Sequence, residues 1–314
     1  HKHRCRLAYD ELLANQLALL LIRQHMKRKP GSKAIGDESI TGKILQNLTY
    51  SLTNSQNTAL NEIRGDMANE SRMLRLLQGD VGSGKTVVAY LAMLSVVEAG
   101  KQSAIMAPTE ILSQQLYKFM LDLSAGTSLK LTLLTGQTPP NEKVQTINSI
   151  KNGSANIIVG THALFQESVE FNNLGLAVVD EQHRFGVHQR MALASRTRGL
   201  PPDILIMSAT PIPRTLTMTE YGDIDVSKLT EKPPGRRPIT TSVIPNERID
   251  EVITRLHKIV SSGARAFWIC PLVTESAVID AAAAENRYEQ LHMIFGNKVG
   301  LIHGKMHQSS RSVV

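Results

Sequence analysis

Between residues 46 and 230 the chain alternates short apolar runs with stretches of helical periodicity. The runs 74–78 (LRLLQ), 103–107 (SAIMA), 129–134 (LKLTLL), 156–160 (NIIVG), 176–180 (LAVVD) and 204–208 (ILIMS) predict strands. Helical spacing predicts helices over 85–99, 110–123 and 141–151. Strand and helix in alternation imply a parallel sheet wrapped by helices on both faces. A run such as LAVV, apolar at every position, suits a strand covered on both sides. Upstream, Leu7, Leu12, Leu13, Leu17, Leu20, Leu21 and Ile22 fall at helical spacing, with Lys and Arg at the C-terminal end where the helix dipole favours them. Pro30 and Gly31 end that pattern.

The segment 231–238 (EKPPGRRP) has three prolines and no apolar residue, and reads as a stiff linker. Beyond it come a predicted strand at 240–245 (TTSVIP), a helix from about 246 to 262, a strand at 266–273 (AFWICPLV), an alanine-rich helix and the run 299–306 (VGLIHGKM). The organisation expected is a basic connecting helix and linker (1–45), a whole α/β domain (46–230), an interdomain linker (231–238) and part of a second α/β domain (239–314).

At 314 residues, 42% hydrophobic and 20% charged, the chain has the makeup of a soluble globular protein. Only 4% is aromatic, which argues against base stacking as a main nucleic-acid device. The net charge of +7 is unevenly spread: residues 1–33 hold eight Lys and Arg against two acids, and the rest is close to neutral. Charge alone therefore neither supports nor excludes nucleic acid. Cys5 and Cys270 stand far apart, forming neither a disulfide framework nor a zinc pattern. No apolar run approaches the roughly 20 residues needed to span a bilayer. A cytoplasmic, monomeric protein is the expectation.

Candidate chemistry begins with GDVGSGKT: Gly79, Asp80, Val81, Gly82, Ser83, Gly84, Lys85 and Thr86 match the phosphate-loop pattern G-x-x-x-x-G-K-[ST]. Glycines let backbone N–H groups turn inward around phosphates, and the following helix adds its positive end. Lys85 would neutralise phosphate charge, and the Thr86 hydroxyl would hold Mg²⁺. The competing reading is a glycine-rich turn with an incidental lysine, but a strand before and a helix after are the context the motif requires. After the strand 176–180, Asp180 would bind the metal and Glu181 would activate water. Together these residues predict a Mg-ATP hydrolase.

In order along the chain, GDVGSGKT, APTEIL, GTHAL, DEQHRFGVHQR and SATPIPRTL resemble the motor of a superfamily 2 helicase. The strings DEQHRFGVHQR and SATPIPRTLTMTEYGD, followed by PPGRRPI, are similar to the RecG family of bacterial branched-DNA helicases, over residues 7 to 308. Motors of transcription-repair coupling translocases are a similar alternative, with DEEH where this chain has DEQH at Gln182. The resemblance implies a RecA-like P-loop domain, a doubly wound parallel sheet, followed by a partial second RecA-like lobe. It also implies ATP and Mg²⁺ as cofactors and forked or Holliday-type DNA as partner.

Carried over, Gln56 in LTNSQ resembles the glutamine that reads adenine, although a helix-face glutamine would look the same. His183, with Gln182, Ser208, Ala209 and Thr210, resembles the residues coupling the γ-phosphate to DNA movement; a capped loop histidine is the plain reading of His183. Pro108 and Thr109, Thr135 and Gly136, and Thr161 and His162 resemble segments touching one DNA strand, while Thr and Gly also simply make turns. Arg184, Phe185, Arg190 and Arg214 would line the same groove, or be plain surface. The family's later arginine-rich motif and its N-terminal wedge domain have no counterpart in these 314 residues. The expectation for this chain alone is weak nucleotide binding and little unwinding, or a non-catalytic module. A P-loop kinase would leave the helicase strings unexplained.

Overall fold

The structure, a computed structural model, describes residues 4, 6–14, 17, 30–166, 168–180, 200–209, 224–233, 239–270, 277–303 and 306. It divides into two compact units, His1–Arg236 and Arg237–Val314.

The first unit opens with the helix α1 (residues 6–14), whose leucines at positions 7, 12 and 13 are exposed. The chain then runs through α2 (Thr41–Asn47), α3 (Asn54–Met67), β1 (Leu74–Gly79), α4 (Lys85–Glu98), β2 (Gln102–Met106), α5 (Glu110–Leu123), β3 (Leu131–Leu134), α6 (Pro140–Lys151), β4 (Ile157–Gly160), β5 (Leu174–Asp180), β6 (Asp203–Ser208) and β7 (Asp225–Leu229). All seven strands are parallel, in the order β3-β4-β2-β5-β6-β1-β7. Successive side chains alternate between faces: Leu176 and Val178 join the core under α3, α4 and α5, whereas Ala177 and Val179 join a second core with Phe171 and Ile158. Helix α4 is buried from Val87 through Val97, as its nearly uninterrupted apolar composition demands.

All six predicted strands and three predicted helices are present. Helices α2 and α3 and strand β7 are additions, and polar side chains tie α3 to β7. The buried Arg75 of β1 pairs with Asp66 at 2.8 Å and Glu62 at 3.2 Å, both on α3, and donates to Ser227 Oγ of β7 at 2.9 Å. The approach to α3 is strapped to the body at its far end. Lys101 Nζ donates to Ser32 O at 2.9 Å, and the Glu98 carboxylate accepts the backbone N–H groups of Glu38, Ile40 and Thr41.

At the N-terminal edge of the sheet, Asp203 is 3% exposed and accepts the Met73 N–H at 2.7 Å. Burial pushes its carboxyl up to about 7, against the opposing pull of that N–H, Arg72 and Lys101. The folded state therefore binds the proton more tightly than the unfolded chain. Stability falls as pH rises from about 4 to about 7 and is level above, a cost on the order of 4 kcal/mol. Asp203→Asn is expected to melt above the wild type at pH 8, the gap closing towards pH 5; thermal melts across that range check it.

The second unit carries α7 (Ile249–Ser261) and α8 (Ala277–Phe295), flanked by 3₁₀ turns at Asn246–Arg248 and Gly296–Lys298. The helices match expectation, but the strands predicted at 240–245, 266–273 and 299–306 do not form in their described parts. A strand exists only with neighbours that pair its backbone and cover its face. Val243 and Phe267 are 98% and 92% exposed, so here the apolar runs have neither.

Candidate nucleotide and DNA site

The loop between β1 and α4 is shaped by its glycines. Gly84 caps α4 at φ 87°, the left-handed region, and a Cβ there would collide with the Gln56 side-chain nitrogen. A Cβ on Gly79 would meet Ser83 Oγ at 2.5 Å. Ser83 N–H donates to Asp80 O at 3.1 Å, and Val81 N–H donates to the Asp80 carboxylate at 2.9 Å. Lys85 Nζ folds back over the loop, donating to Gly79 O at 2.6 Å and Asp80 O at 3.0 Å. No side chain caps the N-terminus of α4, so its positive end is presented by backbone alone.

Two observations fit an anionic ligand: no side chain caps the N-terminus of α4, and the Ser83 hydroxyl, in a residue 3% exposed, has no hydrogen-bond partner among the described residues. Thr86 lies in the first turn of the helix.

The sheet brings the other nucleotide candidates to the same edge. Asp180 ends β5 and sits in register with Met207 of β6, which is in register with Leu77 of β1. That is two strand spacings, about 10 Å, across the sheet. Ser208, at the end of β6 and in register with Gln78, is buried, with Ala209 following it. The hydroxyl and carboxylate of Thr86 and Asp180 are hard oxygen donors, of the type and small number Mg²⁺ takes from protein beside phosphates.

The DNA candidates occupy the other half of this edge, because β3, β4 and β2 are consecutive in the sheet. Pro108 and Thr109 follow β2, and Thr109 is the N-cap of α5, accepting from Leu112 N–H at 3.3 Å. Thr135 and Gly136 follow β3; Thr135 is buried, its Oγ1 accepting from Gln137 N–H at 3.3 Å. Thr109 thus caps a helix and Thr135 shapes a turn. Thr161 follows β4, and its buried Oγ1 has no partner among the described residues, while His162 beside it is exposed. Glu181, Gln182, His183, Arg184, Phe185, Arg190, Thr210 and Arg214 lie outside the described residues.

Gln56, 1% exposed, is part of a larger arrangement. Its Nε2 donates to Ser83 O of the loop at 2.8 Å, and its Oε1 accepts the Thr53 N–H at 2.9 Å. Thr53 Oγ1 in turn accepts the Gln56 N–H, a capping box that opens α3. Thr-x-x-Gln is legible in the sequence as a helix start. Glu231, which bonds to Ser55 of the same turn, gives no local signal, because it stands 176 residues away.

The DEAD/DEAH box helicase family model matches residues 53–219. The chain is 43% identical over 310 residues to the ATP-dependent DNA helicase RecG of Aquifex aeolicus (strain VF5), covering 98% of this chain and 39% of that protein. It is 42% identical over 318 residues to RecG of Escherichia coli (strain K12), covering 100% of this chain and 46% of that protein. Among solved structures, RecG bound to a three-way DNA junction superposes with a TM-score of 0.81 and 40% identity, over 99% of this chain and 40% of that one. The chain thus spans less than half the length of these relatives. No helix among the described residues is long and apolar enough to cross a membrane. With its parallel sheet, its glycine-bound loop and a family match across more than half its length, the chain belongs to the DEAD/DEAH box helicases and is similar throughout to RecG.

Proposed function

We propose that this chain is the ATP-binding part of a RecG-type motor, in which Mg-ATP hydrolysis drives movement on branched duplex DNA such as forks and Holliday-type junctions. The observation that carries the reading is convergence at one sheet edge. The phosphate loop after β1, Asp180 at the end of β5 and Ser208 at the end of β6 stand together, and the three candidate DNA segments stand beside them. Ligands of open α/β sheets bind at this edge. The junction-bound RecG structure, similar over nearly the whole chain, supports DNA as the partner.

In this reading Gly79–Thr86 hold the triphosphate through backbone N–H groups, and Lys85 turns from its loop carbonyls to the β- and γ-phosphates. Thr86 and Asp180 hold Mg²⁺, which when bound neutralises charge on the phosphate oxygens. Glu181 accepts the proton of the attacking water. Gln56, expected to read the base, instead has its amide on Ser83 O and the Thr53 N–H and buttresses the loop, so base reading would require it to leave those partners. His183 with Ser208, Ala209 and Thr210 relays the state of the γ-phosphate. The hydroxyls and backbone N–H groups of Thr109, Thr135 and Thr161 hold phosphates of one DNA strand without reading its sequence.

The test is ATP hydrolysis with and without a synthetic fork, for this chain and for Glu181→Gln. For this chain, which spans less than half of its relatives, the expected result is low turnover at most. Any fork-stimulated turnover should fall by at least about 10²-fold in the variant, the usual contribution of a general base. Mg-ATP binding with no turnover, weakened by Lys85→Ala, would mean a cradle without the arginines of the rest of the motor. Turnover that neither the fork nor Glu181→Gln changes would overturn the motor reading.

A further inference from the structure

The contacts around Gln56 continue past the nucleotide loop. Ser55, the next residue back along α3, donates its backbone N–H to Glu231 Oε2 at 3.3 Å, and Glu231 N–H donates to Ser55 Oγ at 3.4 Å. Ser55 Oγ also lies 3.1 Å from Thr53 Oγ1, the capping hydroxyl of the box that includes Gln56. The result is a reciprocal clasp between two segments 176 residues apart. One is the first turn of the helix whose glutamine grips the Ser83 carbonyl. The other is the first residue of the proline-rich linker, two residues past the end of β7.

We infer that Glu231 is a positioning residue that ties the interdomain linker to the occupancy of the phosphate loop. The inference rests on the assignment of Gly79–Thr86 as the nucleotide cradle. Three features carry it. The Glu231 carboxylate faces the N-terminal turn of α3, where a negative charge is favoured by the helix dipole and by an orphan N–H. Gln56 cannot move independently of that turn, because its amide is bonded at one end to the Thr53 N–H and at the other to Ser83 O. Ser83 lies inside the loop that would close on phosphate, so any adjustment of its carbonyl is felt at the α3 N-terminus and therefore at Glu231. The clasp is weak by geometry, with both bonds beyond 3.2 Å and Glu231 exposed, so it can tighten or release without disturbing the core. Linkage then makes the effect mutual: a ligand that tightens the clasp is itself bound more tightly because of it.

The experiment reads both directions on the whole chain. Hydrogen exchange at the Ser55 and Glu231 amides, the two donors of the clasp, is followed with and without a non-hydrolysable ATP analogue and Mg²⁺. The expected result is a slowing of about five-fold at both amides on binding, at the low end of usual coupling. Glu231→Ala should weaken the analogue by a similar factor with an unchanged melting temperature, and Glu231→Gln, which keeps the acceptor oxygen, should recover part of the loss. Wild-type protein that binds the analogue with no change at either amide overturns the inference, as does Glu231→Ala binding as tightly as wild type. Wild-type protein that fails to bind the analogue removes the cradle assignment itself, and the clasp's role with it.

Discussion

Replacing Gln102 by leucine is expected to lower the melting temperature by roughly 10 °C, the size of shift that about 4 kcal/mol produces in a unit of this length. Gln102 is 3% exposed and uses every hydrogen-bonding position it has. Its Oε1 accepts the N–H groups of Asn172 and Asn173 at 2.9 and 3.2 Å, and its Nε2 donates to Ile150 O and Ala155 O at 3.0 and 2.9 Å. One side chain therefore satisfies the end of α6, the approach to β4 and the approach to β5. It does so where the β2–β5 register slips between Gln102 and Ser103, so the strand ladder alone cannot serve those groups. Leucine fills a similar volume but strips a partner from four backbone groups. The Ala155 carbonyl is left buried, the half-buried Asn172 and Asn173 N–H groups lose their acceptor, and the Ile150 carbonyl keeps another donor, the Gly153 N–H at 3.2 Å. An unsatisfied buried group costs about 1–3 kcal/mol before relaxation. Thermal denaturation of the variant checks the figure. A shift below about 2 °C, less than 1 kcal/mol on the same scale, would show that those groups find other partners.

The largest effect on activity is expected at Lys85. Its ammonium already lies over the loop, on the carbonyls of Gly79 and Asp80, so only a short swing separates it from a bound phosphate. Lys85→Ala removes the cation and its bonds to two loop carbonyls but keeps the helix, because alanine is the best helix former and the position is the first of α4. Turnover should fall by at least about 10²- to 10³-fold, the cost typical of losing one preorganised electrostatic group. Mg-nucleotide affinity should weaken in parallel, with circular dichroism unchanged. A variant that hydrolyses ATP at the wild-type rate would exclude this loop as the cradle.

Much of the first unit was legible because its signals are local. The six apolar runs from 74 to 208 each form a strand within a few residues of the predicted bounds, and Thr109, Pro140 and Gly84 stand at the starts of their helices. β7 was not legible, since DVSKL buries only Ser227 and Leu229; what makes it a strand is the open edge of β1 and the Arg75 bond to Ser227. Helix α3 has a readable cap but a weakly apolar face, and its place is set by Glu62 and Asp66 on Arg75. In the second unit the opposite error occurred. Apolar runs with strand character at 240–245 and 266–270 stay unpaired, because propensity without a neighbouring strand does not make a ladder.

The site divides the same way. The phosphate-loop pattern and the acid that ends β5 were legible in the sequence alone, since each depends on side chains a few residues apart, whereas the Thr53–Gln56 cap, though its Thr-x-x-Gln spacing is local, emerged only with α3. Only the tertiary structure decided that β5 and β6 lie between β2 and β1, which gathers Asp180 and Ser208 with the loop and sends Thr109, Thr135 and Thr161 to the other half of the edge. It alone brought Glu231 to Ser55, and Gln102 to the four groups it serves. Such contacts arise from how seven strands order themselves in the sheet, and that order is set by packing and by the reach of the crossovers, which no local pattern encodes.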